Sequence, residues 1–144
     1  MSFDTNIALY NKGLALSNLG NYTGALISLD KALSIDPKDK DTLYQKGVVL
    51  TKLGNHAGAI LYYDKTLAIE PNYVSALTSK GDALEDLRNY TGAILYYDKA
   101  LAIDPRYVSA LNNKGIALDD LGNYTGAIKY YDKALAIDPK LVVA

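Results

Sequence analysis

Apolar residues in the last quarter of the chain recur at spacings of three and four, which is the period of a helix. In residues 108–123 they lie on one helical face and the polar residues lie on the other. A strand would alternate every second residue instead. The pattern therefore predicts an amphipathic α-helix that ends at Gly122 and Asn123, with the apolar positions Ala110, Leu111, Ile116 or Ala117, Leu118 and Leu121.

A second amphipathic pattern follows directly in residues 124–137. Asp138 and Pro139 end it, because proline restricts the residue before it and cannot continue a helix. Neither helix could bury its apolar face alone, so we expect the two to pack as a hairpin. The apolar face of the second helix consists of Ala127, Ile128, Tyr131, Ala134 and Leu135.

The whole pattern occurs four times. Three sets of residues recur every 34 positions. They are Gly13, Gly47, Gly81 and Gly115; Ala25, Ala59, Ala93 and Ala127; and Pro37, Pro71, Pro105 and Pro139. We divide the chain into repeats 6–39, 40–73, 74–107 and 108–141 of a single domain, 1–144, and assign residues 142–144 to the start of an incomplete next helix. Stacked hairpins of this kind form an all-α solenoid with a concave side.

The spacing of glycine, aromatic, alanine and proline in each repeat resembles the tetratricopeptide repeat. In the fourth repeat the matching residues are Leu111, Gly115, Leu118, Tyr124, Ala127, Tyr131, Ala134 and Pro139. The resemblance covers residues 6–141 and implies a right-handed superhelix of four helix-turn-helix hairpins. The chain departs from the family at one position of the repeat. Family members often have leucine at this position, and this chain has Lys12, Lys46, Lys80 and Lys114. A lysine can cover the core with its methylenes and keep its ammonium in water, so this departure is compatible with the fold.

The resemblance also implies a binding surface. In this family the first helix of each hairpin lines a concave groove that binds a protein or peptide. Carried over position by position, the predicted groove residues are Tyr10, Asn11, Leu14, Tyr44, Gln45, Val48, Lys52, Thr78, Asp82, Glu85, Asp86, Asn112, Asn113, Ile116, Asp119 and Asp120.

The predicted groove is chemically uneven. Its first half offers aromatic and apolar residues beside amides, and its second half gathers five carboxylates. A wall of one sign of charge favours a cationic ligand. We therefore expect a partner segment with apolar residues at one end and Lys or Arg at the other. The alternative is that these carboxylates form an ordinary solvated surface, offset by Lys80 and Lys114.

Composition and charge exclude several other functions. A formal net charge of −1 offers no electrostatic footprint for nucleic acid. No apolar run approaches the length of a membrane span, and the first residues do not resemble a signal peptide. The sequence has no cysteine, which fits a reducing compartment, so we expect a cytoplasmic location.

The sequence also lacks a catalytic or metal-ligating pattern. His56 is the single histidine, and it replaces the tyrosine found at that position in the other repeats. A metal or acid–base site would need further ligands or partners. We therefore predict a non-catalytic protein without a metal or a cofactor.

Structural self-assembly is the alternative function. Solenoids normally end in a helix with a polar outer face. The final residues "PKLVVA" instead resemble the start of another first helix, "PRYVSA" at residues 105–110. We therefore expect that the end repeats could stack on other copies and form a homo-oligomer. The near identity of the repeats leaves a natural duplication, an excised fragment and a designed array all open.

The stretch "NYTGAI" at residues 89–94, with close copies in every repeat, marks the joint between the two helices. Three of the four copies match an N-glycosylation acceptor, but the fourth is "NHAG". We predict instead that the asparagine is the N-cap of the second helix. The glycine at the third helical position has no explanation from sequence, because an interior helical glycine costs up to about 1 kcal/mol.

Overall fold

A computed structural model describes residues 3–140 and contains eight α-helices in that range. The described residues contain no strand. This confirms the all-α class and the four predicted helix-turn-helix hairpins. The predicted start of a further helix at 142–144 lies outside the described residues. The helices are α1 (Phe3–Asn18), α2 (Tyr22–Ile35), α3 (Lys40–Lys52), α4 (His56–Ile69), α5 (Val74–Asp86), α6 (Tyr90–Ile103), α7 (Val108–Asp120) and α8 (Tyr124–Ile137).

The helices belong to two compact units. Unit 1 holds α1–α4 and ends at Pro71, and unit 2 begins at Asn72 and holds α5–α8. Within each unit every helix packs on the next one along the chain, and the two first helices of the hairpins also touch, α1 with α3 and α5 with α7. Each unit is thus two stacked hairpins. The prediction of one domain over residues 1–144 stays a prediction.

Small residues lie where the two helices of a hairpin cross, as the repeat pattern indicates. Ala93 on α6 is fully buried. On the facing helix, a Cβ atom added to Gly81 would lie 2.5 Å from Cε1 of the buried Tyr97 ring. Because no real Cβ contact is that short, the aromatic ring can occupy this place only if residue 81 is glycine.

The turn inside each hairpin places one residue in the left-handed region. Gly20, Gly54 and Gly122 occupy this position with φ of 81°. The third hairpin has Arg88 there, with φ of 65°. A side chain in this region crowds the following carbonyl, so Arg88 is a strained position in an otherwise regular joint.

The asparagine of "NYTGAI" is the N-cap of each second helix, which confirms the prediction. In α6 the side-chain Oδ1 of Asn89 accepts a hydrogen bond of 3.0 Å from the backbone nitrogen of Gly92. The backbone of Asn89 has ψ of 75°, and this brings its side chain close over the first turn. A Cβ on Gly92 would lie 2.6 Å from Nδ2 and 2.8 Å from Cγ of Asn89. The glycine that the sequence left unexplained thus makes room for the capping side chain.

Two of the lysines that depart from the family pattern, Lys46 and Lys114, form bridges between neighbouring helices. Lys114 on α7 forms an ion pair with Asp98 on α6 and donates a hydrogen bond of 2.9 Å to the hydroxyl of Tyr130 on α8. Lys46 repeats this arrangement in unit 1, 2.6 Å from Oδ1 of Asp30 and over the ring of Tyr62 at 4.3 Å. Each of these lysines therefore joins its own hairpin to the preceding one, and the side chain of each is mostly buried.

Candidate functional site

Two of the predicted groove residues of unit 1 line a cavity of about 450 Å³. Tyr10 and Asn11 on α1 lie in its wall together with Asp41 of α3. Sequence reasoning missed four lining residues, two of them on α1 and two in the turn between α2 and α3. The missed residues include Phe3, Asn6, Asp36 and Asp39. The two aspartates flank the Asp-Pro turn that recurs in the repeats, and this turn was the available signal.

Aromatic residues and carboxylates meet in this cavity. Burial raises the pKa of the Tyr10 phenol, and the nearby Asp41 and Asp39 carboxylates raise it further. Tyr44, the predicted groove residue of α3, packs its ring against Tyr63 of α4 with centroids 5.7 Å apart. Unit 1 therefore offers a partly apolar surface with negative charge at one edge.

The remaining predicted residues of unit 1 are accessible to different extents. Leu14, Gln45 and Val48 are half-buried, and Lys52 is exposed. The ammonium of Lys52 lies 5.9 Å from the centroid of the Tyr22 ring on α2. Lys52 thus has a neighbour outside the first helices.

In unit 2 the predicted residues of α5 and α7 are joined by a direct hydrogen bond. Nδ2 of Asn113 on α7 donates to Oδ1 of Asp82 on α5 over 2.8 Å. The hydroxyl of Tyr97, which comes from α6, lies 2.7 Å from the same Oδ1 and 2.9 Å from Oε2 of Glu85. The structure thus brings Asp82, Glu85 and Asn113 together around a core tyrosine that was not among the predicted site residues.

Burial and like charge act on these carboxylates in the same direction. Burial raises the pKa of Asp82, against the lowering effect of its hydrogen bonds from Tyr97 and Asn113. Burial also raises the pKa of Glu85, and the negative charges of Asp82, Asp120 and Asp86 add to that rise. Desolvation and neighbouring charge of the same sign both disfavour the ionised form of a carboxyl group.

The outer part of this surface is exposed. Asp86, Asp119, Asp120 and Ile116 are all exposed, and Asn112 is half-buried. Oδ2 of Asp119 lies 3.5 Å from the hydroxyl of Tyr131, at the limit of a hydrogen bond. We call the surface formed by Asp82, Glu85, Asp86, Asp119 and Asp120 the acidic face.

Thr78 is the one predicted groove residue with a buried side chain. It is 4% exposed, and its hydroxyl donates a 3.0 Å hydrogen bond to the carbonyl oxygen of Val74 one turn earlier. Its hydroxyl is therefore engaged inside α5 rather than presented to a partner.

The described residues offer no group of three or more His, Asp or Glu side chains that could hold a metal ion. None of the helices in residues 3–140 is both long enough and apolar enough to cross a membrane.

The repeat assignment has independent support from family comparison. A model described as tetratricopeptide repeat matches residues 44–108 and again residues 78–141, and a second model with that description matches residues 7–39. The chain belongs to the tetratricopeptide repeat family. Tetratricopeptide repeat proteins are generally non-catalytic scaffolds that mediate protein–protein interactions.

Solved structures of other tetratricopeptide repeat proteins resemble this one. A MamA fragment from Desulfovibrio magneticus RS-1 is 25% identical, covers 94% of this chain and 76% of its own, and has a TM-score of 0.86. YrrB, described as having an unusual peptide-binding site, is 25% identical over 93% of this chain and 69% of its own, with a TM-score of 0.81. PilF from Pseudomonas aeruginosa, at 24% identity, covers 95% of this chain and 63% of its own with a TM-score of 0.87, and shows the fold alone. No curated protein gives a match.

Proposed function

We propose that this tetratricopeptide repeat protein is a non-catalytic scaffold that binds a basic protein segment on the acidic face of unit 2. The observation that carries the proposal is the hydrogen bond from Asn113 to Asp82, because it ties α5 and α7 together at the centre of five carboxylates. The similarity to YrrB supports peptide binding as the general activity.

The charge of the acidic face supports a cationic partner. The hydrogen-bond partners of Asp82 and Glu85 described above are Tyr97 and Asn113, which are neutral and bring no positive charge to the acidic face. Carboxylates on a concave wall attract a cation over several ångströms, and an ammonium or guanidinium group can form charge-assisted hydrogen bonds with them. A lysine or arginine side chain is the protein group that fits this chemistry.

A short labelled peptide of lysine and leucine tests the proposal by fluorescence anisotropy. Asp86→Lys should weaken binding, because it removes one ion pair and adds a repulsion on the acidic face. The expected loss is about 1–2 kcal/mol, or about fivefold to thirtyfold in Kd. Asp132→Lys is the matched control, because it makes the same charge change at an exposed position of α8 in the same unit.

Two further comparisons separate specific binding from a solvated surface. Affinity should fall as salt is added, because ions screen exposed charges. A peptide with glutamate in place of lysine should not bind. Equal weakening by Asp86→Lys and Asp132→Lys, or binding that ignores salt, would refute the proposal and favour the solvated surface.

We infer that unit 1, taken by itself, offers a surface for an apolar protein segment. Tyr10 and Tyr44 offer aromatic surface, and tyrosine anchors of this kind often dominate binding energy. Tyr10→Ala should weaken binding of the lysine–leucine peptide but not of a lysine–serine peptide. Equal effects on both peptides would contradict this role.

Self-association is a second candidate, favoured by the exposed side chains of α8. Tyr124 is 65% exposed and Ile128 is 59% exposed, although their counterparts on α6, Tyr90 and Ile94, are half-buried. Light scattering should then show a molar mass that rises with concentration and returns to one chain in Ile128→Lys. A single-chain mass at high concentration would remove this candidate.

A further inference from the structure

The hydroxyl of Tyr97 lies between two carboxylate oxygens. It is 2.7 Å from Oδ1 of Asp82 and 2.9 Å from Oε2 of Glu85, and both distances are those of hydrogen bonds. A phenol carries one hydrogen, and an ionised carboxylate carries none. If both carboxylates were ionised, the single phenol hydrogen would have to be shared between them in a weaker three-centre bond. A second proton in the cluster would allow both contacts to be full hydrogen bonds, so the geometry favours one.

The hydrogen-bond pattern favours Glu85 over Asp82 as the group that holds that proton. Oδ1 of Asp82 accepts from the amide of Asn113 over 2.8 Å as well as from Tyr97. Two donors stabilise the ionised form of a carboxylate. Glu85 has Tyr97 as its described hydrogen-bond partner, and in its protonated form it can donate to the hydroxyl oxygen. The chain of donation then runs from Glu85 to Tyr97 and from Tyr97 to Asp82.

The surroundings of Glu85 favour its neutral form. Burial is the main cause that raises the pKa of Glu85. The negative charges of Asp82 and Asp86 on the same helix, and of Asp120 on α7, raise it further. The bond to Tyr97 acts in the opposite direction. Tyr97 itself stays protonated, because burial and the two carboxylates raise the pKa of its phenol.

From the α7–α8 hairpin, the negative charge of Asp120 raises the pKa of Glu85. Asp119 and Tyr131 form their own contact of 3.5 Å, and the charges of Asp119, Asp120 and Glu85 raise the pKa of Tyr131. The described groups that shift the pKa of Glu85 are therefore the Tyr97 phenol and the carboxylates of Asp82, Asp86 and Asp120.

We propose that Glu85 holds a proton in the free, folded protein at mildly acidic pH, and that loss of this proton as the pH rises destabilises unit 2. Without the proton, two carboxylates compete for one phenol hydrogen and repel each other. The inference goes beyond peptide binding, because it concerns the folded chain alone and stands whether or not a partner binds.

Unit 1 contains a neutral counterpart of the same arrangement. The hydroxyl of Tyr63, at the position equivalent to Tyr97, lies 2.9 Å from the hydroxyl of Thr51, which is equivalent to Glu85. The position equivalent to Asp82 is Val48. Hydroxyl pairs of this kind satisfy each other without a titrating group, so the proton dependence belongs to the third repeat.

Carbon NMR of the whole chain tests the location of the proton directly. The sequence contains two glutamates, Glu70 and Glu85, so protein labelled with ¹³C at the glutamate side-chain carboxyl carbon gives two signals. The Glu70→Gln variant identifies which signal is which. We expect the Glu85 signal to titrate above 4.5, the value of an unperturbed glutamic acid. A midpoint at or below that value overturns the proposal.

Thermal unfolding across the same pH range tests the consequence. The Glu85→Gln variant carries a permanent amide donor for the Tyr97 oxygen and should not depend on the proton. Because the folded pKa of Glu85 is raised, its stabilising contribution is complete below the unfolded pKa and disappears as the pH rises through the folded one. The Tm of Glu85→Gln relative to the unsubstituted chain should therefore increase with pH. Glu70→Gln makes the same charge change and should show no such increase of Tm with pH. If the Tm difference between Glu85→Gln and the unsubstituted chain stays constant with pH, the proposal is overturned.

Discussion

The contact between the N-cap asparagine and the glycine at the third helical position leads to a quantitative prediction about Asn89 and Gly92. Replacing Gly92 by alanine removes the conformational cost of a helical glycine, which is up to about 1 kcal/mol. The new Cβ would lie 2.6 Å from Nδ2 of Asn89, so the asparagine side chain has to rotate away. Rotation breaks the 3.0 Å capping hydrogen bond, which contributes about 1 kcal/mol. The gain and the loss should nearly cancel.

A double-mutant cycle separates the two effects. Asn89→Ala alone should lower the free energy of unfolding by about 1 kcal/mol. In that background there is no cap to displace, so adding Gly92→Ala should recover about 0.5–1 kcal/mol. Urea unfolding of the four proteins, followed by circular dichroism, gives the coupling energy, which should be about 1 kcal/mol. Additive effects within about 0.3–0.5 kcal/mol would show that the glycine is not there to accommodate the cap.

The repeats allow the same measurement to be amplified. The geometry recurs in every hairpin, with distances of 2.6–2.8 Å from the added Cβ to Nδ2 of the capping asparagine. Substituting all four glycines by alanine in the unsubstituted chain should change its free energy of unfolding little. In a variant whose four capping asparagines are already alanine, the same four substitutions should raise the free energy of unfolding. The four pairs are Asn21 and Gly24, Asn55 and Gly58, Asn89 and Gly92, and Asn123 and Gly126.

Three further predictions concern unit 2. Arg88→Gly should raise the free energy of unfolding by about 1 kcal/mol, because Arg88 alone among the described non-glycine residues has positive φ. Arg106→Gly, in an ordinary turn, should not raise it, and equal effects of the two substitutions would refute backbone strain at Arg88. Ala93→Leu should cost about 1–3 kcal/mol by overpacking the helix crossing, whereas the exposed Ala102→Leu should be neutral; an unchanged Tm for Ala93→Leu would reject the crossing. Affinity for a lysine peptide should increase from mildly acidic to neutral pH, because the carboxyl group of Glu85, whose pKa is raised, becomes negatively charged only at higher pH. Glu85→Gln should reduce this increase, and an affinity that falls as the pH rises would contradict the prediction.

The sequence predicts the hairpins well because their determinants are local or periodic. The 34-residue recurrence places Gly81 and Ala93 at the crossing, and Asn89 is recognisable as a cap from its position before an apolar helix. These assignments need only the spacing of residues along the chain. The structure adds the partner of each residue, such as the Tyr97 ring beside Gly81.

The candidate site was less predictable because its chemistry depends on contacts between different helices. Asp82 and Glu85 were named from their helix face, but their contact with Tyr97 joins two helices and depends on the rotamers of all three side chains. Thr78 shares that helix face in the sequence, yet its hydroxyl turns inward to Val74. The predicted groove residues as a set, and their partner, stay predictions until binding is measured.

The lysine bridges of α3 and α7 have a consequence for how such a chain can evolve. Lys46 and Lys114 each connect to an aspartate of the hairpin before and to a tyrosine of their own hairpin. The sequence has the same aspartate and lysine in every repeat, and the structure shows them paired at the α2–α3 and α6–α7 junctions. A recombination event that inserts or deletes a whole 34-residue unit would leave each new junction with matching parts. The number of repeats can therefore change in one genetic step, without a period in which neighbouring hairpins have to adapt to each other.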